Sequence, residues 1–166
     1  IAPDPNDLSV FYAGSYGGYL SRLDRELGQQ RAIHIYPDNP MGWSSIDIKE
    51  RFQWTFPIVF SPVDPKVLYA SSQHLYRTTS GGQNWEKISP NLTRSDPKTM
   101  QASGGPITKD QTGVATYAVI FTVAPSRQEV LHLADKHRDA TAFTRAITRA
   151  WTQAQVQLQH LGISAE

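Results

Sequence analysis

The feature that most constrains the fold of this chain is a change of pattern close to residue 125. Before it, short runs of aromatic and β-branched residues alternate with turns rich in Gly and Pro, which predicts hairpins of short strands. From Ser126 onward, apolar residues recur every three or four positions, which predicts amphipathic helices. We therefore expect a mainly β N-terminal part followed by an α-helical C-terminal segment.

The β-rich part has six short strand candidates and one long one. Turn formers separate them, among them Tyr16-Gly17-Gly18 and Ser80-Gly81-Gly82. The short strands are predicted at 9–14, 19–24, 31–36, 54–60, 67–71 and 74–78, and the long one at 115–124.

Two helices are predicted in the C-terminal segment. Ser126 followed by Glu129 has the spacing of a capping box, which places the start of the first helix there. Asp139 can cap a second helix over about 140–161, and Gly162 suits the position just after its end. An apolar stripe along the second helix includes Phe143, Ile147, Trp151, Leu158 and Leu161.

An internal repeat gives the β-rich part its expected organisation. The stretch 60–70, "FSPVDPKVLYA", aligns without gaps on 123–133 and more loosely on 1–14. Each copy reads as a small residue and a proline, then a polar stretch, then an apolar strand. An offset of roughly 60 residues suits one four-stranded blade of a β-propeller, so the repeat predicts antiparallel four-stranded units.

Composition and charge exclude several classes of function. The 166-residue chain has no cysteine, which excludes disulfides, thiolate catalysis and zinc bound by cysteines. Its formal charge of +1 does not suggest a nucleic-acid partner. No apolar run is long enough for a membrane helix, so we expect no membrane insertion.

The residues do not define a catalytic or metal site. Glu129 and His132 form one Glu-x-x-His pair, but a di-iron site needs a second copy. Asp47, Glu50 and Asp110 are candidate carboxylates for glycoside hydrolysis, and nothing in their spacing selects a pair. We therefore predict no catalytic residue, no metal and no cofactor.

The segment "YRTTSGGQNWEKIS", residues 76–89, resembles the Asp-box of bacterial-neuraminidase-type repeats. Thr78, Gly82 and Trp85 match its pattern, whereas Ser80 stands where Asp is expected and Asn84 where Thr is expected. In that family the box is structural: its residues bond the turn between two outer strands, and the Trp packs into the blade. The resemblance thus assigns Thr78, Ser80, Gly82 and Trp85 to structure.

The likeness extends over residues 1–123, which resemble bacterial β-propeller proteins of the sortilin-like or glycosyl-hydrolase-like kind. It implies a fragment of about two blades. Residues of about 117–166, with "ADKHRD" and "AWTQAQVQL", resemble the helical linker of cyclic β-1,2-glucan synthase. We predict two parts, 1–123 and 124–166, joined in a chimera or a fragment of a longer chain, because both ends look cut.

The function expected from these observations is a non-catalytic scaffold that binds carbohydrate or protein. Aromatic residues in or beside loops are the candidate ligand contacts, with two polar neighbours: Tyr16, Trp43, Trp54, Gln73 and His74. The open edges of the blades predict self-association. The resemblances leave two alternatives, a fragment of a glycoside hydrolase or glucan phosphorylase and a self-associating assembly protein, and they imply a periplasmic or secreted location.

Overall fold

The computed structural model of the protein describes residues 1–36, 38–108 and 116–126. The chain divides into two compact units, Ile1–Ala124 and Pro125–Glu166. All of the secondary structure that follows belongs to the first unit. The predicted helices beyond Ser126, together with Glu129, His132 and the repeat copy at 127–133, lie outside the described residues.

The first unit contains two four-stranded antiparallel sheets whose strands pair in chain order. Short strands and tight connections account for this order, because antiparallel neighbours need only a hairpin between them. The first sheet consists of β1 (Ala2–Pro3), β2 (Val10–Gly14), β3 (Leu20–Asp24) and β4 (Gln29–Ala32). The second consists of β5 (Ile58–Phe60), β6 (Leu68–Ser71), β7 (Leu75–Thr78) and β8 (Glu86–Lys87).

The predicted fold class is wrong, because the two sheets do not close into a propeller or a barrel. A ring needs a neighbouring sheet at every open side. Here β5 of the second sheet contacts β1 and β2 of the first, while all four residues of β4, at the outer edge, are exposed. Within residues 1–36, 38–108 and 116–126 there is also no helix of seven residues or longer. Helical structure there is limited to two short 3-10 turns, Tyr16–Gly18 and Pro97–Thr99, and α1 (Gly105–Thr108).

The repeat predicted between 1–14 and 60–70 is confirmed by matching hydrogen bonds. In the first copy Asp4 N donates to Val10 O at 2.9 Å, and Val10 N donates to Asp7 O at 3.0 Å. In the second copy Ser61 N donates to Val67 O at 2.9 Å, and Val67 N donates to Asp64 O at 3.0 Å. The same loop therefore leads into β2 and into β6.

The hydrophobic core fills the space where the sheets meet. Gly14, in β2, permits a close approach there, since a Cβ added to it would lie 2.8 Å from the Phe56 ring and 2.9 Å from Ile58 Cδ1. The buried residues of this core are Ala2, Val10, Tyr12, Leu20, Ile33, Phe52, Phe56, Leu68 and Ala70.

The strand predictions are confirmed best where aromatic and β-branched residues are followed by a tight turn. Strands at 9–14, 19–24, 67–71 and 74–78 are found within a residue or so of the predicted bounds. The strand predicted at 54–60 is only Ile58–Phe60, because the chain turns over Gln53–Phe56. Of the strand predicted at 115–124, residues 116–124 are described and contain no strand; Ala118, with φ of 56°, breaks the extended run.

Candidate functional site

Two of the predicted ligand contacts, Tyr16 and Trp54, form one exposed aromatic surface. Their rings stack with centroids 5.5 Å apart and planes inclined by 29°. Tyr16 is 48% exposed and Trp54 is 50% exposed, so about half of each residue faces solvent. We call this ring pair the aromatic platform.

Buried neighbours hold the aromatic platform in place. Tyr16 begins the 3-10 turn after β2, and Gly18 in that turn, at φ of 81°, packs so tightly on the Phe52 ring that no Cβ fits. Phe52 in turn makes an edge contact with Phe56, with centroids 5.2 Å apart. Trp54 lies between these two buried phenylalanines in the sequence, so the backbone on both sides of it is held by the core that joins the sheets.

Trp43, the third predicted aromatic contact, lies on a neighbouring turn. Its backbone N donates to Pro40 O at 3.2 Å, and Pro40 packs against Gly17, where an added Cβ would lie 2.9 Å from Pro40 Cδ. Trp43 is 58% exposed. No aromatic ring within the described residues stacks on it, so Trp43 is not part of the platform.

Gln73, predicted as a polar ligand contact, is used within the protein. It is buried, and its Oε1 accepts a hydrogen bond from Arg51 N at 2.7 Å. Its Nε2 donates to Lys49 O at 2.8 Å, and its backbone carbonyl accepts from Leu92 N at 2.9 Å. Because these bonds satisfy the amide, Gln73 fastens the 49–51 segment to the second sheet and is a poor candidate for contact with a ligand.

His74, the other predicted polar contact, belongs to a charged cluster centred on Glu50. The buried Glu50 carboxylate accepts from Lys87 Nζ at 2.8 Å, from Ser72 Oγ at 3.0 Å and from His74 Nδ1 at 2.9 Å. A carboxylate has no proton to donate, which fixes the His74 tautomer with hydrogen on Nδ1. Tyr76 also donates its hydroxyl to Glu50. We refer to these five residues as the Glu50 cluster.

The Glu50 cluster keeps its carboxylate charged. Burial by itself would raise the pKa of Glu50, but hydrogen bonds from Lys87, Tyr76, His74 and Ser72 outweigh burial and lower the pKa to about 2. Burial and the bond to Glu50 raise the pKa of the Tyr76 hydroxyl. Glu50 is therefore ionised at neutral pH and cannot serve as a general acid, which makes the cluster a structural anchor between strands β7 and β8 and the 49–51 segment.

Neighbouring strands explain why sequence reasoning missed part of this cluster. Tyr76 and Lys87 are directly opposite each other in the β7–β8 ladder, and the ammonium of Lys87 lies 5.8 Å from the centre of the Tyr76 ring. Glu50 reaches both from a segment more than twenty residues earlier in the chain. The sequence contained the signals for this cluster, an acidic residue and a Tyr–Lys pair on two adjacent strands. Recognising that they contact each other requires the strand register.

The four residues assigned to the Asp-box come together at the β7–β8 turn. Thr78 Oγ1 accepts from Ser80 N at 3.2 Å and from Gly82 N at 3.1 Å, and Ser80 Oγ accepts from Asn84 N at 3.0 Å. Trp85 Nε1 donates to Ile33 O at 2.9 Å, and its ring packs against the core. The structure thus places these side chains where they bond the turn and connect it to the first sheet.

The other candidate carboxylates do not define a site in the described part of the chain. Asp47 accepts a hydrogen bond from Ser44 Oγ, and Asp110 lies outside the described residues. Within the same part, no three His, Cys, Asp or Glu residues are grouped so as to hold a metal ion. No described helix is long and apolar enough to cross a membrane.

Comparison with protein-family models, curated proteins and solved structures gives no match to this chain. The resemblances to Asp-box proteins and to cyclic β-1,2-glucan synthase therefore stay predictions. The functional argument rests on the aromatic platform and the geometry around it.

Proposed function

We propose that this protein is a non-catalytic carbohydrate-binding module whose contact surface is the aromatic platform. The observation that carries the proposal is the stacked and half-exposed pair of Tyr16 and Trp54. Aromatic residues have a large apolar body and a polar end, which suits ligands that combine C–H faces with hydroxyl groups. Pyranose rings have this combination.

The polar ends of the platform support a sugar ligand. Neither the Tyr16 hydroxyl nor the Trp54 indole N–H has a hydrogen-bond partner within the part of the chain that the structure describes. Both groups are free to bond hydroxyls at the edge of a sugar ring while its C–H face packs on the aromatic faces. A neutral glycan is favoured over an anionic one, because the platform contains no basic side chain.

The area available sets the expected strength of binding. An aromatic side chain buries about 150–250 Å² when covered, and half of this at about 25 cal/mol per Å² gives about 2–3 kcal/mol for each ring. Ordering the ligand offsets much of that gain. We expect dissociation constants in the range of about 0.1–1 mM for short oligosaccharides, and tighter apparent binding to polymers that offer many sites.

The test is isothermal titration and affinity electrophoresis with soluble neutral glucans of defined linkage. Trp54→Ala and Tyr16→Ala should each weaken binding about tenfold or more, corresponding to the loss of one covered ring. Tyr117→Ala is the matched control, because Tyr117 is an exposed tyrosine outside the platform. The proposal would be ruled out if Trp54→Ala and Tyr16→Ala bound glucans as tightly as Tyr117→Ala, or if the wild-type protein bound no glucan.

A second candidate function is self-association, and one specific observation favours it. Strand β4 is the outer edge of the first sheet, and all four of its residues are exposed. Edge strands present unpaired backbone groups that can pair with another strand. Light scattering over a hundredfold range of concentration should then show a dimer that Gln30→Pro abolishes; a monomer throughout this range would exclude it.

A further inference from the structure

Arg51 is a buried cation with an incomplete set of partners. The residue is only 6% exposed. Its Nε donates to Ala118 O at 3.0 Å, and its Nη2 donates to Ser95 Oγ at 3.1 Å. A guanidinium group has five N–H donors, so three of them have no acceptor within residues 1–36, 38–108 and 116–126.

Among the described residues, no carboxylate pairs directly with the charge of Arg51. Both of its acceptors are neutral oxygens, whereas buried charges in proteins are ordinarily paired with an opposite charge. Glu50 is the adjacent carboxylate, but its oxygens already bind Lys87 at 2.8 Å and His74 at 2.9 Å. Glu50 therefore gives its direct contacts to Lys87 and His74, and none of its printed contacts is with Arg51.

Hydroxyl groups accompany the buried guanidinium. Ser95 Oγ accepts from Arg51 and from Asn91 Nδ2 at 2.8 Å, and it lies 2.9 Å from Thr93 Oγ1. Thr93 Oγ1 donates its own hydrogen to Asn91 Oδ1 at 2.7 Å. The hydrogen of the Ser95 hydroxyl is therefore available to Thr93 or to an incoming oxygen atom.

The free end of Arg51 is not sealed inside the protein. In the described part of the chain, Ser71 Oγ is the one fully buried side-chain polar atom that has no hydrogen-bond partner. The unpartnered Arg51 nitrogen is not among such atoms, so it is not completely enclosed.

We propose that Arg51, together with Ser95, forms a binding site for a small oxyanion, meaning a carboxylate, sulfate or phosphate group. Two parallel N–H donors on a guanidinium match the two oxygens of such a group, and the bonds are strengthened by the opposite charges. The oxyanion would supply the missing acceptors and an opposite charge in direct contact with Arg51. None of the residues of this site belongs to the aromatic platform, and the proposal does not depend on glycan binding.

The experiment uses inorganic sulfate, phosphate and acetate as probes of the full chain, each compared with sodium chloride at equal ionic strength. At about ten times its dissociation constant, a bound oxyanion should raise the Tm by roughly 3–5 °C above the chloride sample. In parallel, the Arg51 side-chain Nε–H resonance should shift with a saturable dependence on the oxyanion concentration. Comparing sulfate and phosphate with acetate shows whether the site prefers a free inorganic oxyanion or a carboxylate group.

Three variants separate this site from general effects of salt. Ser95→Ala should weaken oxyanion binding at least threefold while keeping the fold, and Arg51→Gln should abolish it. Arg94→Gln is the control, because the Arg94 side chain is 90% exposed and lies next to Ser95 in sequence. The proposal would be overturned if the Tm were the same in chloride and in every oxyanion, or if the Arg51 Nε–H resonance did not move. It would also be overturned if only Arg94→Gln lost the effect. If Arg51→Gln fails to fold, the resonance of the wild-type protein decides the question.

Discussion

Glu50 illustrates how single residues in this protein take their roles from distant neighbours. Its carboxylate is buried, which is costly for a charge, but two strand residues, Tyr76 and Lys87, together with Ser72 and His74 before β7, supply hydrogen bonds that make the charged form stable. In the sequence Glu50 was one of three unpaired candidates for catalysis. Its actual partners could not be identified from spacing, because they depend on which strands lie side by side.

The Glu50 cluster should make stability depend on pH in the acidic range. The folded-state pKa of Glu50 is lowered from 4.5 to about 2, so its contribution is present above about pH 5 and is lost as the pH falls toward about 2. The difference corresponds to about 3 kcal/mol in the free energy of unfolding. Urea unfolding monitored at a series of pH values should show this loss.

Glu50→Gln tests the assignment of that pH dependence. The variant should be less stable at pH 7 by about 2–3 kcal/mol, and its stability should change much less between pH 5 and pH 2. Glu86→Gln is the matched control, since Glu86 pairs with Arg77 at 2.8 Å but its side chain is 61% exposed, and it should cost less than about 1 kcal/mol. An unchanged pH profile in Glu50→Gln would contradict this account.

The predicted site residues also show what sequence reasoning can and cannot identify. Tyr16, Trp43 and Trp54, which were selected as aromatic residues beside turns, are all about half exposed, and their contact with a ligand stays a prediction. Gln73 was selected by the same reasoning but is buried and satisfied by backbone groups. A polar residue after a strand has the same local sequence pattern whether it is exposed or buried, and only tertiary packing distinguishes the two situations. Arg51 was overlooked because its burial has no sequence signal.

At the scale of elements, turns decide how the sheets meet. Gly82, in the β7–β8 turn, has φ of 85°, and an added Cβ would lie 2.5 Å from Ile33 Cδ1 and 2.8 Å from Ile33 Cβ. The turn of the second sheet therefore rests directly on a core residue that follows β4. The bond from Trp85 to Ile33 O reinforces the same contact.

Gly82→Ala should be strongly destabilising because it combines a left-handed backbone with a steric clash. We expect a loss of about 2–4 kcal/mol in the free energy of unfolding. Gly28→Ala is the matched control: Gly28 also has positive φ, at 62°, but nothing lies within 4 Å of its added Cβ, so about 1 kcal/mol is expected. Equal losses in the two variants, measured by denaturant unfolding, would show that Ile33 does not constrain this turn.

The elements also show where sequence patterns are sufficient. The proline turns before β2 and β6 were predicted from repeated letters, and they carry matching hydrogen bonds because short-range chemistry determines them. The strand predicted over 115–124 failed over its described residues, where Ala118 adopts φ of 56° and Tyr117 N donates to Ser45 Oγ at 3.0 Å. A β-branched run favours a strand only when a neighbouring strand is there to pair with it.

For the whole molecule, the sequence predicted β-rich structure but not the way in which the sheets assemble. Four strand positions and the repeat were confirmed, because periodicity and turn chemistry act locally. The assignment of the sheets to blades of a β-propeller, which came from the repeat and the resemblance, is wrong: the two four-stranded sheets do not close into a propeller or a barrel, they meet through β5 with β1 and β2, and β4 is left at an exposed edge. How sheets meet depends on long-range packing that a repeat length does not specify.

The division of the chain into compact units leads to a prediction about folding. All buried apolar residues identified in the described structure lie between Ala2 and Met100, within the unit Ile1–Ala124. A chain ended after Ala124 should therefore fold by itself and keep its thermal transition within about 3 °C of the full chain, measured by circular dichroism at 218 nm for β-structure. Loss of the cooperative transition in the shortened chain would show that this core is insufficient.

The central claim, that the aromatic platform binds glycans, is tested most directly by following the indole N–H resonances of the tryptophans during titration with neutral gluco-oligosaccharides. Trp85 provides an internal reference, because its Nε1 donates to Ile33 O at 2.9 Å and its ring packs against the core. The account predicts a saturable shift of the Trp54 resonance with little change at Trp85. A Trp54 resonance that stays fixed at saturating oligosaccharide, or equal shifts of both resonances, would contradict it.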